Sequence, residues 1–151
     1  MRRLATIGLI LCGALLAVAV AGAAAKPVVP RAVQLRILRA KPALAYVPTR
    51  TASGFHYVSW QKSPSNLEIT FDNKAGWEIR FVALPTSGSC RTGMEKSFQL
   101  DGNKVYWDGS VAWRCVRGPD GKLVKLLASG PNLPDVALGI VVASGRRIGV
   151  R

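Results

Sequence analysis

Leu67-Glu68-Ile69-Thr70-Phe71, Asp72-Asn73-Lys74-Ala75-Gly76 and Trp77-Glu78-Ile79-Arg80-Phe81 follow one another without a break. Their reading decides the fold. The two outer runs alternate apolar and polar residues strictly, the period of a strand with one buried face. The run between them is rich in turn formers. A hairpin over this stretch sets Phe71 opposite Trp77, Ile69 opposite Ile79 and Leu67 opposite Phe81, with Glu68 opposite Arg80 on the other face. Apolar matching and an opposite-charge pair agree on one register.

Strand signals continue on both sides. Phe55 to Trp60 is aromatic and β-branched and stops at Lys62-Ser63-Pro64-Ser65-Asn66. Beyond a Gly/Ser/Thr loop from Pro85 to Gly93, Phe98 to Leu100 reads as a strand and Asp101-Gly102 as a turn. Asn103 to Trp107, Val111 to Arg117 and Lys122 to Ala128 form a meander through Asp108-Gly109 and Gly118-Pro119-Asp120-Gly121. A four-residue second turn puts Trp113 and Cys115 on the side of Val124 and Leu126, and sets Arg114 against Lys125 on the other face.

Val136 to Ala143 has the β-branched content of a buried strand. However, Asn132 can cap, Pro134 and Asp135 suit a first helical turn, and Gly145 stands where a helix would stop. The helix reading is preferred. The fold class is then α+β, an antiparallel sheet of about seven or eight strands with a C-terminal helix. An all-β sandwich is the alternative.

Arg2 and Arg3 precede an uncharged run from Leu4 to Val20, and Ala21-Gly22-Ala23-Ala24-Ala25 offers small residues before Lys26. This is the layout of a secretory signal over residues 1–25. The competing reading is an uncleaved anchor, since about 20 apolar residues span a bilayer. Its Gly/Ala end and the basic residues Lys26, Arg31, Arg36 and Arg39 just beyond it favour cleavage. Cys12 follows Leu11 in mid-run and reads as an ordinary signal residue rather than a lipid-attachment site. A membrane partner is expected only if the segment is kept.

What remains is one domain with a modest core. Residues 26–50 read as a basic, proline-containing lead-in, extended apart from a short strand where Val33, Leu35 and Ile37 alternate with polar neighbours. Residues 51–148 form the β-rich domain. Cys90 and Cys115 are the two cysteines beyond the signal, and in an oxidising compartment they are expected to pair.

The 21 basic and 8 acidic residues are unevenly spread. Residues 26–50 hold six basic residues and no acid, and residues 136–151 hold Arg146, Arg147 and Arg151, again without an acid. Such ends suit an anionic envelope component; solvated tails are the plainer reading. Candidate anionic contacts are Arg36, Arg39, Arg114, Arg117, Lys122, Lys125, Arg146 and Arg147.

The order of these pieces resembles a family of small extracytoplasmic bacterial domains found on lipoproteins and on membrane-tethered regulators of sigma factors. Tyr46-Val47-Pro48, Gly54-Phe55, Val105 to Gly109, Leu133 to Ala143 and Ser144 fill that outline. The resemblance implies a binding or sensing module and carries no ligand residues across. The two cysteines depart from the outline.

Catalytic constellations are poorly supported. His56 is the only imidazole and has no evident nucleophile or orienting carboxylate. Asp72, Asp101, Asp108 and Asp120 sit in turns, where side-chain bonds to backbone explain them. Glu68 and Glu78 read as surface strand pairs. No cofactor or metal is expected. Trp60, Tyr106 and Trp107 are candidates for an aromatic platform, against which Trp77 and Trp113 read as core; nucleic acid is not favoured. The expectation is an exported, non-enzymatic binding or sensing module of unknown ligand. The alternative is an envelope structural protein held to anionic polymer through its basic termini.

Overall fold

The structure is a computed structural model that describes residues 26–149. The signal reading over residues 1–25, with Cys12, lies outside them. The element order is α1 (Arg31–Ala40), a 3-10 turn (Pro42–Leu44), β1 (Tyr46–Pro48), β2 (His56–Lys62), β3 (Leu67–Asp72), β4 (Glu78–Thr86), β5 (Lys96–Leu100), β6 (Asn103–Trp107), β7 (Val111–Arg117), β8 (Leu123–Ser129), α2 (Asp135–Ala143) and β9 (Gly145–Arg147). Seven strands form one antiparallel sheet in the order β2-β3-β4-β8-β7-β6-β5, and β1 pairs with β9 in a separate ribbon. This is the α+β class expected, with the C-terminal helix in place.

One face of the sheet is covered. Leu67, Ile69, Phe71, Ile79, Phe81, Val105, Leu126 and Ala128 project from it into a single core, which α2 closes with Leu138, Val141 and Val142. Lying over β6, β7 and β8, α2 shields the half of that face toward β5. Residues 26–50 belong to the same core through Val29, Val33, Ile37, Leu44 and Ala45.

The short strand read over Val33–Ile37 is therefore corrected to a helix. Val33 and Ile37 are buried and lie one helical turn apart on one face. Leu35 is 45% exposed, so alternation was the wrong period here.

The hairpin keeps its faces but slides by two residues. Ile69 faces Phe81, Phe71 faces Ile79 and Thr70 faces Arg80, replacing the Glu68–Arg80 pair. The turn takes Asn73 to Trp77: the Asn73 carboxamide oxygen accepts the Ala75 and Trp77 N–H groups, and Gly76 adopts a positive φ of 79°. This draws Trp77 out of the strand and into the loop, where it is exposed rather than core. Arg80 instead bonds Glu78, its neighbour on the same strand face.

The β7–β8 register is corrected by one residue, and here the faces change. The turn spans Gly118 to Lys122, closed by Gly118 N–H to the Lys122 carbonyl at 2.7 Å. Arg114 pairs with Leu126 and Cys115 with Lys125. A one-residue slip sends every side chain to the other face. Arg114 thus joins the face that α2 covers, while Trp113, Cys115 and Lys125 share the opposite one, where Trp113 is buried as expected.

At the start of α2, Asn132 does not cap; Pro134 holds the N-cap position. Gly145 does not take the left-handed cap conformation either, since Ser144 ends the helix in right-handed geometry. Gly145 is required for packing: a Cβ there would lie 2.9 Å from Leu126 Cδ1, 3.2 Å from the Val142 carbonyl and 3.3 Å from Phe81 Cε2. Gly145→Ala is expected to lower stability by about 1–2 kcal/mol through overpacking. Gly149→Ala, with nothing within 4 Å, should leave it unchanged. Equal urea midpoints for the two variants would refute this assignment.

Candidate functional site

The two basic ends of the chain meet. In the β1–β9 ribbon Tyr46 faces Arg147, Val47 faces Arg146 and Pro48 faces Gly145. Ile148 N–H bonds the Ala45 carbonyl at 2.8 Å and extends this pairing. Tyr46, Val47 and Ile148 are buried beneath the ribbon, whereas Arg146 and Arg147 are exposed. Apolar anchors on one side thus present the two arginines on the other. A groove of about 420 Å³ runs beside them, lined by Lys26, Gln34, Arg146 and Arg147 and by no carboxylate.

A second cavity of about 440 Å³ shares Arg146 and Thr49 with this groove and also holds Arg50, Asp101, Asn103 and Arg114. Three arginines stand here against one carboxylate, and Asp101 is taken by its ion pair with Arg50. The Thr49 hydroxyl donates to the Ser144 carbonyl at 3.0 Å, and Arg50 N–H donates to the Ser144 hydroxyl at 3.1 Å. These bonds hold β1 and its exit to the end of α2.

Arg114 organises the wall between helix and sheet. Its Nε–H donates to the Val142 carbonyl at 2.9 Å, and its two terminal nitrogens donate to the Asn103 side-chain oxygen at 2.7 Å and to the Gly145 carbonyl. Carbonyls at a helix C-terminus lack intrahelical donors and carry partial negative charge, so a fixed cation there is favourable. Burial lowers the Arg114 pKa from its ordinary value; Tyr46 opposes this and Arg146 reinforces it. The guanidinium is a brace for the fold, and its proximity to Arg146 raises the positive potential of the cavity.

The other candidate cations are scattered. Arg36 and Arg39 lie exposed on α1. Arg117 bonds the Gly121 carbonyl within its own turn, and Lys122 sits 3.9 Å from Asp120. Lys125 lies on the sheet face opposite α2, its Nζ 4.6 Å above the centre of the Trp113 ring. Sequence reasoning did not single out Lys26, which lines the ribbon groove, or Arg50, which lines the second cavity. The charge run over residues 26–50 contained that signal, but not its meeting with the C-terminal arginines.

The aromatic candidates do not come together. Trp60 is on edge strand β2, while Tyr106 and Trp107 are on β6, five places along the sheet. Trp60 and Trp107 pack against the core. On the opposite face Tyr106 stacks on Trp113 with ring centres 6.0 Å apart.

Cys90 and Cys115 form a disulfide with Cα atoms 5.8 Å apart. The connection from β4 to β5 must pass three strands, and this bond ties it to β7. Trp113 Nε1 donates to the Cys90 carbonyl at 2.7 Å. Within the same loop Glu95 accepts bonds from Thr92, Gly93 and Arg91. Its pKa is lowered to about 2 by its own backbone N–H and these donors.

Exposed on β2, His56 borders a shallow cleft with Gly54, Asn73, Lys74 and Ala75. Among the described residues no group of three or more His, Cys, Asp or Glu side chains is placed to hold a metal ion. Likewise, no described helix is long and apolar enough to cross a membrane. No family model, curated protein or solved structure matches the chain.

Proposed function

We propose that this chain is an exported, non-catalytic binding module of the cell envelope that meets an anionic partner through the β1–β9 ribbon. One observation carries the reading: two acid-free basic segments from opposite ends of the sequence are paired into one surface. Such a face attracts and retains polyanions in a salt-dependent way. The disulfide-bonded fold is compatible with an oxidising, extracytoplasmic compartment. The resemblance to extracytoplasmic domains on lipoproteins and sigma-factor regulators fits a sensing role for the same face. A structural role, with the chain held to anionic polymer by its termini, would use this one face rather than two separate tails.

The test is retention on isolated envelopes. Deleting residues 26–50 is unsuitable because it removes Val29, Val33 and Ile37 from the core. Arg146→Ser with Arg147→Ser leaves the buried anchors in place. Retention is expected to fall at least tenfold in this variant. The unaltered protein should be released in about 0.5 M salt, where screening acts within ~4 Å. Retention indifferent to both changes would overturn the reading.

A further inference from the structure

We propose that the ribbon and the outer side of α1 form one docking face for an anionic lipid surface, holding the domain flat against the membrane it faces after export. The proposal rests on the anionic-partner reading and names the partner.

Lys26, the first described residue, lines the groove that also contains Arg146 and Arg147. The uncharged run Leu4 to Ala25 therefore joins the domain at its cationic ribbon. While that run stays attached, this face is the part of the domain joined directly to it.

On α1, Gln34 lines the same groove, and Val33 and Ile37 point into the core. Helical spacing then turns Arg31, Leu35 and Arg39 outward, and all three are exposed. On this outer side a 45% exposed leucine stands between two arginines, each one turn away. Its apolar side chain enters the headgroup boundary while the cations meet phosphates. Arg36 lies on the other flank of α1, near Tyr57. No carboxylate lies in α1, β1, β9 or the groove between them. A soluble polyanion would use the arginines but leave Leu35 without a role, which is why the lipid surface is favoured.

Residues 26–149 enclose one contiguous core from Val29 to Ile148 and their own disulfide, so the chain beginning at Lys26 is the object to test. It is sedimented with vesicles of phosphatidylcholine alone or with about 30% phosphatidylglycerol, each juxtamembrane basic residue contributing about fivefold in affinity. Binding is expected only to the anionic vesicles. It should fall about 100-fold for the triple variant Arg31→Glu, Arg146→Glu, Arg147→Glu. It should also fall severalfold for Leu35→Ser, which changes no charge. A control carrying Lys74→Glu, Lys96→Glu and Lys104→Glu alters net charge equally and should bind nearly as well as the unaltered chain. Circular dichroism confirms that each variant is folded.

Equal losses in the two triple variants would overturn the proposal, as would Leu35→Ser binding unchanged. Binding to long-chain polyphosphate without binding to vesicles would overturn it in favour of a soluble polyanion and leave the anionic-partner reading standing. Failure to bind either probe, with envelope retention insensitive to salt, would remove both.

Discussion

Replacing Arg114 by alanine is expected to lower the unfolding free energy by about 3 kcal/mol, because two carbonyls and one carboxamide oxygen lose a charged donor at once. For a domain of this size that corresponds to a fall of roughly 10 °C in melting temperature. The loss should be local as well as global. Val142 and Gly145 bracket the junction of α2 and β9, so the amides that follow, including Ile148 N–H on the Ala45 carbonyl, should exchange faster. Arg114→Lys keeps the charge but replaces a planar fork by one compact ammonium, and about half the loss should remain. A midpoint for Arg114→Ala within about 0.5 kcal/mol of the unaltered protein, the range of an ordinary surface substitution, would show that Arg114 is not a brace.

Removing the disulfide with Cys90→Ser and Cys115→Ser should cost about 3 kcal/mol, the chain-entropy figure for a loop of this length. The bond also keeps the Cys90 carbonyl on the Trp113 indole. Its loss should therefore expose the Trp113–Tyr106 stack and red-shift the tryptophan emission. Reduction of the unaltered protein should reproduce both effects. Unchanged emission and unchanged denaturant midpoint after complete reduction would contradict this role.

Much of the fold is legible in local pattern. The runs Leu67–Phe71 and Trp77–Phe81 name a hairpin, and the Asn103–Ala128 meander names three strands at nearly their observed bounds. The helix at Asp135–Ala143 follows from a Pro-Asp start. The N-terminal helix was harder to see, because in Arg31–Ala40 the apolar positions satisfy both a twofold and a helical period. Burial of Val33 and Ile37, with Leu35 left outside, decides between them.

Register was not legible, for a physical reason that Asn73 and Gly118 illustrate. Pattern fixes which residues share a face within a strand; the length of the turn fixes which strand positions meet. At Asn73 a side-chain cap on two N–H groups moved the pairing by two and preserved the faces. At Gly118 one more residue in the turn moved it by one, turning Arg114 toward α2 and Trp113 to the opposite face of the sheet. The position of Arg114 beside the candidate site follows from that slip.

By itself, the sequence determined the strand and helix periods, the pairing of its two late cysteines and the concentration of positive charge in its two end segments. These depend on residue chemistry and near neighbours. Tertiary structure alone decided that the ends meet, because the β-ladder joining Tyr46 and Arg147 pairs residues from opposite ends of the domain, which no local pattern specifies. It also decided that Arg114 serves as a brace rather than a surface contact, since that depends on which carbonyls the core brings within reach.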